Sequence, residues 1–252
     1  QEILSGEINY STQAAMCNDE PGQNCYPCYQ LERGKKSFDI ISDRIFYIRE
    51  LKQEPLESYV PGDHDLRTID VRWTNLCNFA CVYCSEENSS RWAKELGRHL
   101  PMPTESQLED FKQYIFSHAD KLKHVYLAGG EPLLMKQNSE LLKLLADVNP
   151  DVSIRVNTNL SKTDTKVFDQ ICEFKNVQWT LSVETMGAEF EYIRYGGSWQ
   201  DFESNLSRVQ QTGHKINFNM LYFLLNWSSL FDTIEYFQNS GFHNNSFVIG
   251  PL

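Results

Sequence analysis

Beyond residue 64, strand-like and helix-like segments alternate five or six times, and most of the strand-like ones are polar at every second position. Residues 66–74 set Ile69, Val71 and Trp73 on one face against Asp70 and Arg72 on the other. Residues 152–159 oppose Ile154 and Val156 to Arg155, Asn157 and Asn159. Residues 177–184 alternate Val177, Trp179, Leu181 and Val183 with Gln178, Thr180, Ser182 and Glu184, and residues 216–222 set Ile216, Phe218, Met220 and Tyr222 against Asn217 and Asn219. Shorter apolar runs at 124–128 and 247–249 are also strand-like. Strands separated by helices imply parallel βα units. Parallel strands covered on both faces read as continuous apolar runs, and these do not. Their apolar faces must meet the helices, so their polar faces must line something wet or occupied. A curved, open barrel around a polar cofactor satisfies both demands. The rival, an antiparallel sheet with one solvated face, needs only hairpins between neighbours and leaves the helix-length connections unexplained.

The helix starts are legible. Thr104 and Gln107 form a capping box ahead of Leu108, Phe111 and Ile115; Ser161 and Asp164 precede Val167, Phe168 and Ile171; Ser198 and Asp201 precede Phe202, Leu206 and Val209. Gly213 and Gly241 stand where helices should stop. Asn226, after the fifth strand, is placed either to cap the next helix, the reading favoured, or to reach the site, and Cys172 is expected to lie on an apolar helix face. Residues 1–63 are different: a turn at Pro21-Gly22-Gln23-Asn24, then Cys25-Tyr-Pro-Cys28, then a helix expected at about 38–54 before Pro55. The division expected is therefore a small segment, 1–63, and a core domain, 64–252. The first residue is Gln1, which reads as a piece of a longer sequence.

Seven cysteines are an odd number, and six fall into two tight groups, 17, 25, 28 and 77, 81, 84. Such spacing, without a legible export signal, points to metal or redox chemistry in a reducing compartment, hence the cytoplasm. The stretch Cys77-Asn-Phe-Ala-Cys81-Val-Tyr-Cys84 brings three thiolates within reach of one metal centre. Structural zinc takes four ligands, and a four-iron cluster normally takes four cysteines. Three ligands leave one position open. A zinc knuckle completed by water, or three reduced thiols in a core, remain the alternatives on spacing alone.

With Tyr83 between the last two cysteines, the motif resembles the signature of the radical S-adenosylmethionine (SAM) enzymes. That resemblance spans about 64–250. It implies an α/β fold, an incomplete (β/α)6 partial barrel with its site at the carboxyl ends of the strands. It also implies a 4Fe-4S cluster on Cys77, Cys81 and Cys84, with SAM chelated at the open iron and Tyr83 helping to seat it. Gly129-Gly130-Glu131-Pro132, directly after the second strand, resembles the family's Gly-Gly-Glu motif, whose main chain binds the methionine amino end of SAM. Asn157, Thr158 and Asn159 end the third strand, where the family offers contacts to ribose and methionine, and Ser182 and Glu184 match its ending of the fourth. Arg194 matches an arginine often directed at the SAM carboxylate. Glu131 is expected to present a carboxylate at the rim, and the glycines to let backbone approach a ligand. Reductive cleavage of SAM to a 5'-deoxyadenosyl radical, fed by a donor such as flavodoxin or ferredoxin, is the activity implied. No residue is assignable as the substrate's acid or base.

Residues 1–63 look like part of a twitch domain, the short relative of the SPASM domain, with Cys17, Cys25 and Cys28 as candidate ligands of a second, auxiliary iron–sulfur cluster. A two-cysteine zinc half-site or an empty hairpin is the plainer alternative. A net charge of -11 disfavours a broad nucleic-acid surface, and so an RNA-modifying relative. No apolar run approaches the roughly 18–20 residues of a membrane span. A peptide or small metabolite is the expected substrate class. A non-catalytic zinc or iron–sulfur module is the rival outside enzymology, and it would not need the strand-end motifs.

Overall fold

Alternation of buried and half-buried positions sets the architecture. In a computed structural model, which describes residues 6–18, 20, 22–33, 66–243 and 246–251, the chain divides into two compact units, Gln1–Asp65 and Leu66–Leu252. In the first unit, helix α1 (Glu7–Cys17) buries none of its residues. A 3-10 turn (Gln23–Cys25) then leads directly into α2 (Tyr26–Arg33), so a helix rather than a hairpin carries Cys28. The helix expected at about 38–54 lies outside the described residues.

The second unit holds six strands: β1 (Thr68–Val71), β2 (His124–Leu127), β3 (Ser153–Thr158), β4 (Val177–Ser182), β5 (Lys215–Tyr222) and β6 (Phe247–Pro251). They form one sheet in sequence order, every neighbouring pair parallel. The order ends at β1 and β6, which are not paired with each other. This is an α/β fold with a six-stranded parallel sheet, in the strand order that an open barrel requires. Right-handed crossovers between strands laid down in order place every helix on the same face. Strands β3 and β4 accordingly alternate buried with half-buried residues along their whole length. Ile69, Val71, Val125, Leu127, Ile154, Val156, Trp179, Leu181, Phe218 and Met220 make the covered face. Each such side chain contributes about 1.5–3 kcal/mol of burial.

Between the strands run α3 (Ser90–Glu95), α4 (Glu105–Phe116), α5 (Lys136–Val148), α6 (Lys166–Cys172), α7 (Gly187–Ile193), α8 (Trp199–Gln211) and α9 (Leu230–Asn239). The Thr104–Gln107 capping box is present in both directions at α4, and Ser198 caps α8 by accepting from the Asp201 N–H. Gly213 and Gly241 follow α8 and α9 with positive φ. At α6 the cap differs from expectation: Thr165, not Ser161 or Asp164, accepts the Phe168 N–H. The loop after β3 holds Ser161 away from the helix, binding it to Asn78. Cys172 packs at the edge of the core.

β1 ends before its predicted limit, yet Trp73 stays buried beyond it. Its Nε1–H donates to Asn138 Oδ1 at 2.7 Å, and Asn138 Nδ2 donates to the Pro132 carbonyl at 2.9 Å. One side chain in the first turn of α5 thus satisfies groups from two strand ends. Asn138→Ala should strand both in the core and cost about 2–4 kcal/mol. A lowered urea midpoint with an unchanged slope is the expected result.

Candidate functional site

The loop from β1 to α3 carries Cys77, Cys81 and Cys84, and its backbone is tied from two sides. On the near side the N-terminus of α3 grips it. Ser89 Oγ donates to the Phe79 carbonyl at 2.6 Å while accepting the Trp92 N–H as N-cap. Ser90 Oγ accepts the Cys77 N–H at 3.1 Å and lies 3.2 Å from the Cys77 carbonyl, and Trp92 Nε1 donates to the Cys81 carbonyl at 2.7 Å. On the far side the segment after α7 runs alongside. The Ala80 N–H donates to the Tyr195 carbonyl and the Val82 N–H to the Ile193 carbonyl, each at 2.9 Å. Satisfaction of these groups fixes a loop that has no regular secondary structure of its own.

Beneath the loop lies the end of β2. A Cβ on Gly130 would stand 2.1 Å from the Leu76 carbonyl oxygen. The glycine is therefore required by the cysteine loop, and the Glu131 N–H donates to that same oxygen at 2.6 Å. Glu131 itself departs from expectation. Its side chain turns inward, 1% exposed, because it caps the 3-10 turn Pro132–Leu134 through the Leu133 N–H. It also accepts from Thr158 Oγ1 at 2.6 Å and the Asn159 N–H at 2.7 Å. The carboxyl pins the end of β3. Asn159 Nδ2, thus placed, faces Cys77 Sγ at 3.8 Å and Asn78 Oδ1 at 3.1 Å. On the uncovered face Ser182 Oγ donates to Asn157 Oδ1 at 3.3 Å, joining β4 to β3.

The end of β4 supplies the charges. Arg194 forms a two-pronged pair with Glu184, Nε to Oε2 at 2.7 Å and Nη2 to Oε1 at 2.9 Å, both side chains almost fully buried. The Tyr83 hydroxyl donates to Glu184 Oε1 at 3.1 Å, and Arg194 Nη1 faces Cys81 Sγ at 4.0 Å. Phe223, from the loop after β5, packs edge-on against Tyr83. Asn226 is a tether here rather than the expected helix cap. Fully buried, it accepts the Phe223 N–H and donates to the Glu184 and Leu221 carbonyls. The turn from Asn226 to Ser229 puts Ser229 at the start of α9 instead.

Electrostatics follow from burial. Burial pushes the Cys77 thiol up to about 11, with Glu131, Cys81 and Cys84 adding to the push. Burial also raises Cys81 and Cys84, opposed at both by the Arg194 charge. For Arg194, desolvation works against the charge but Glu184 outweighs it, so the guanidinium stays protonated. Among the described residues no three His, Cys, Asp or Glu side chains are already gathered as a metal shell. The three thiols nevertheless sit on one tied loop. A soft thiolate set of this kind fits an iron–sulfur cluster. In the first unit, Cys17 is exposed at the end of α1, and Cys25 and Cys28 are half-buried. Sequence reasoning missed Ser89, Ser90 and Trp92, although a serine pair just after the cysteines is an ordinary helix-start signal. Asn78 and Phe223 carried no signal.

Gly130→Ala should force the Leu76 backbone aside. The expected loss is roughly 1–3 kcal/mol of stability, checked by thermal melting. Glu131 adds a pH effect. Burial holds its carboxyl up at about 7, against an ordinary 4.5, with the hydrogen bonds from Thr158, Asn159 and Leu133 pulling it back. The folded chain then keeps a proton that the unfolded chain releases. The stabilisation is full below the unfolded pKa and is lost as pH rises through the folded one, a swing on the order of 3 kcal/mol. Glu131→Gln should flatten that fall in melting temperature in the metal-free protein; parallel curves would mean a carboxyl ionised throughout.

The model of the radical SAM superfamily matches residues 71–247. The GTP 3',8-cyclase of Sulfurimonas denitrificans is 25% identical over 194 residues, 74% of this chain and 56% of that protein. Streptococcus suis SuiB bound to S-adenosylmethionine superposes with a TM-score of 0.56 at 14% identity, covering 91% of this chain and 51% of SuiB. SuiB bound to its precursor peptide SuiA gives 0.54 at 12% identity, over 95% and 51%. These two likenesses speak to the fold alone, and the chain spans about half the length of the relatives it matches. On the family match, which takes in the cysteine loop and most of the six-stranded sheet, the chain belongs to the radical SAM superfamily.

Proposed function

We propose that this chain is the core of a radical SAM enzyme that binds a 4Fe-4S cluster through Cys77, Cys81 and Cys84. The observation that carries this reading is the tied loop, which presents three thiols with side-chain donors facing two of the sulfurs. When bound, the cluster supplies the electron that cleaves SAM into methionine and a 5'-deoxyadenosyl radical, which takes hydrogen from a substrate. The chain's own residues position and exclude. Asn159 and Asn78 hold the Cys77 side of the loop, and the zipper to Ile193 and Tyr195 holds the Cys81 side. Tyr83 and Phe223 close a flank against water. Gly129, Gly130 and Pro132 shape the β2 end. Asn157, Thr158, Asn159 and Ser182 are the polar strand-end groups we assign to SAM, with Glu131, Glu184 and Arg194 bracing them.

A nucleotide-sized metabolite or a peptide is the substrate class in this reading, supported by relatives named GTP 3',8-cyclase and by SuiB bound to a peptide. A one-electron donor such as flavodoxin or ferredoxin would serve it in the cytoplasm. Among the described residues no helix is long and apolar enough to cross a membrane. Cys25 and Cys28, with Cys17, we assign to a twitch-like auxiliary cluster whose fourth ligand would come from an upstream segment, the substrate or solvent.

Anaerobic reconstitution should give a brown protein whose spectrum changes on adding SAM and which releases 5'-deoxyadenosine with dithionite. Alanine at all three of Cys77, Cys81 and Cys84 should abolish both while leaving the sheet folded by circular dichroism. A colourless protein holding zinc would defeat the proposal. A longer form should take up a second cluster that is lost when Cys25 and Cys28 are replaced; unchanged iron content would make that pair structural.

A further inference from the structure

Arg194 is locked to Cys81 by both backbone and side chain. The N–H groups on either side of Cys81, those of Ala80 and Val82, donate to the carbonyls on either side of Arg194, those of Tyr195 and Ile193. This two-bond zipper fixes one residue against the other as neighbouring strands do. The side chain then divides its donors. Nε and Nη2, the fork that suits a carboxylate, are both committed to Glu184, and Nη1 is left facing Cys81 Sγ. The Tyr83 ring lies 5.7 Å from the guanidinium centre and its hydroxyl braces the same carboxylate. A free SAM carboxylate would have to compete with an internal one already in place.

We infer that Arg194 is a positioning residue that donates to the Cys81 sulfur, and that with Glu184 as its counter-charge it sets the reduction potential of the cluster on that thiolate. This rests on the cluster assignment made above. When one electron arrives from an external carrier, negative charge grows on the sulfurs. A cationic donor facing one of them favours the reduced state, and hydrogen bonds to cluster sulfurs raise the potential. Glu184 works oppositely, since its carboxylate neutralises much of the guanidinium's field. The two substitutions must therefore shift the potential in opposite directions, which a purely structural brace does not do.

The test is a redox titration followed by electron paramagnetic resonance on the reconstituted protein without SAM. Parent, Arg194→Gln and Glu184→Gln are compared, with iron counted in each and SAM affinity measured separately. Arg194→Gln should move the midpoint to a more negative value, and Glu184→Gln to a less negative one. If one variant cannot hold iron, the sign of the other decides. Unmoved potentials with weakened SAM binding in Arg194→Gln would overturn the inference and give the arginine to the SAM carboxylate. Shifts of the same sign, or iron lost from both variants, would overturn it in favour of a structural brace. A parent that takes up no cluster fails at an earlier stage, and the functional reading fails with it.

Discussion

Everything at the site depends on a sheet that is covered on one face only. Parallel strands laid down in order, each returning by a helix on the same side, bury one set of side chains and leave the alternate set uncovered. Nonpolar burial against the helices holds the sheet together. The opposite face is released from that duty and can carry Arg155, Asn157, Thr180, Ser182, Asn217 and Asn219. Most ordinary parallel sheets cannot do this, because both of their faces are core.

The strand ends then divide the work. β1 launches the cysteine loop, β2 turns beneath it at Gly130, β3 faces Cys77 through Asn159, and β4 brings Glu184 under Tyr83 and Arg194. None of these contacts is strong alone. The charged pair is the exception: removing one partner of a buried pair typically costs 3–5 kcal/mol, because the other is left uncompensated in a dry interior. Polar groups at these strand ends are thus held by partners from neighbouring segments of chain.

Much of the fold was legible because its signals are local. The capping box at Thr104, the cap at Ser198, the glycines after two helices and the period-two strands each depend on residues a few positions apart. The site was legible at the level of motif but not of partner. Glu131 was expected at the rim and is buried, because its three donors come from Thr158, Asn159 and Leu133. For Asn226 the cap was favoured over a reach to the site, and it reaches the Glu184 carbonyl at the end of the neighbouring strand. Gly130 is demanded by the close passage of Leu76, a contact that the motif alone does not name. In each case sequence pattern names the residue, while the contact that gives it a role is made by chain folded back from far away.

The contact of Leu76 with Gly130 and Glu131 has a bearing on the order of events during biosynthesis. When Cys77, Cys81 and Cys84 emerge, Ser89, Ser90 and Trp92 soon follow and supply the local half of the loop's supports. The other half arrives only after β2 is made, and then with Tyr195, so the loop closes through chain segments of increasing length. Contacts of such separation are the slow part of folding. Before those segments are made, only the contacts from Ser89, Ser90 and Trp92 are available to hold the loop. The architecture therefore gives the cysteine loop its final shape late, once chain as far as Tyr195 has been made.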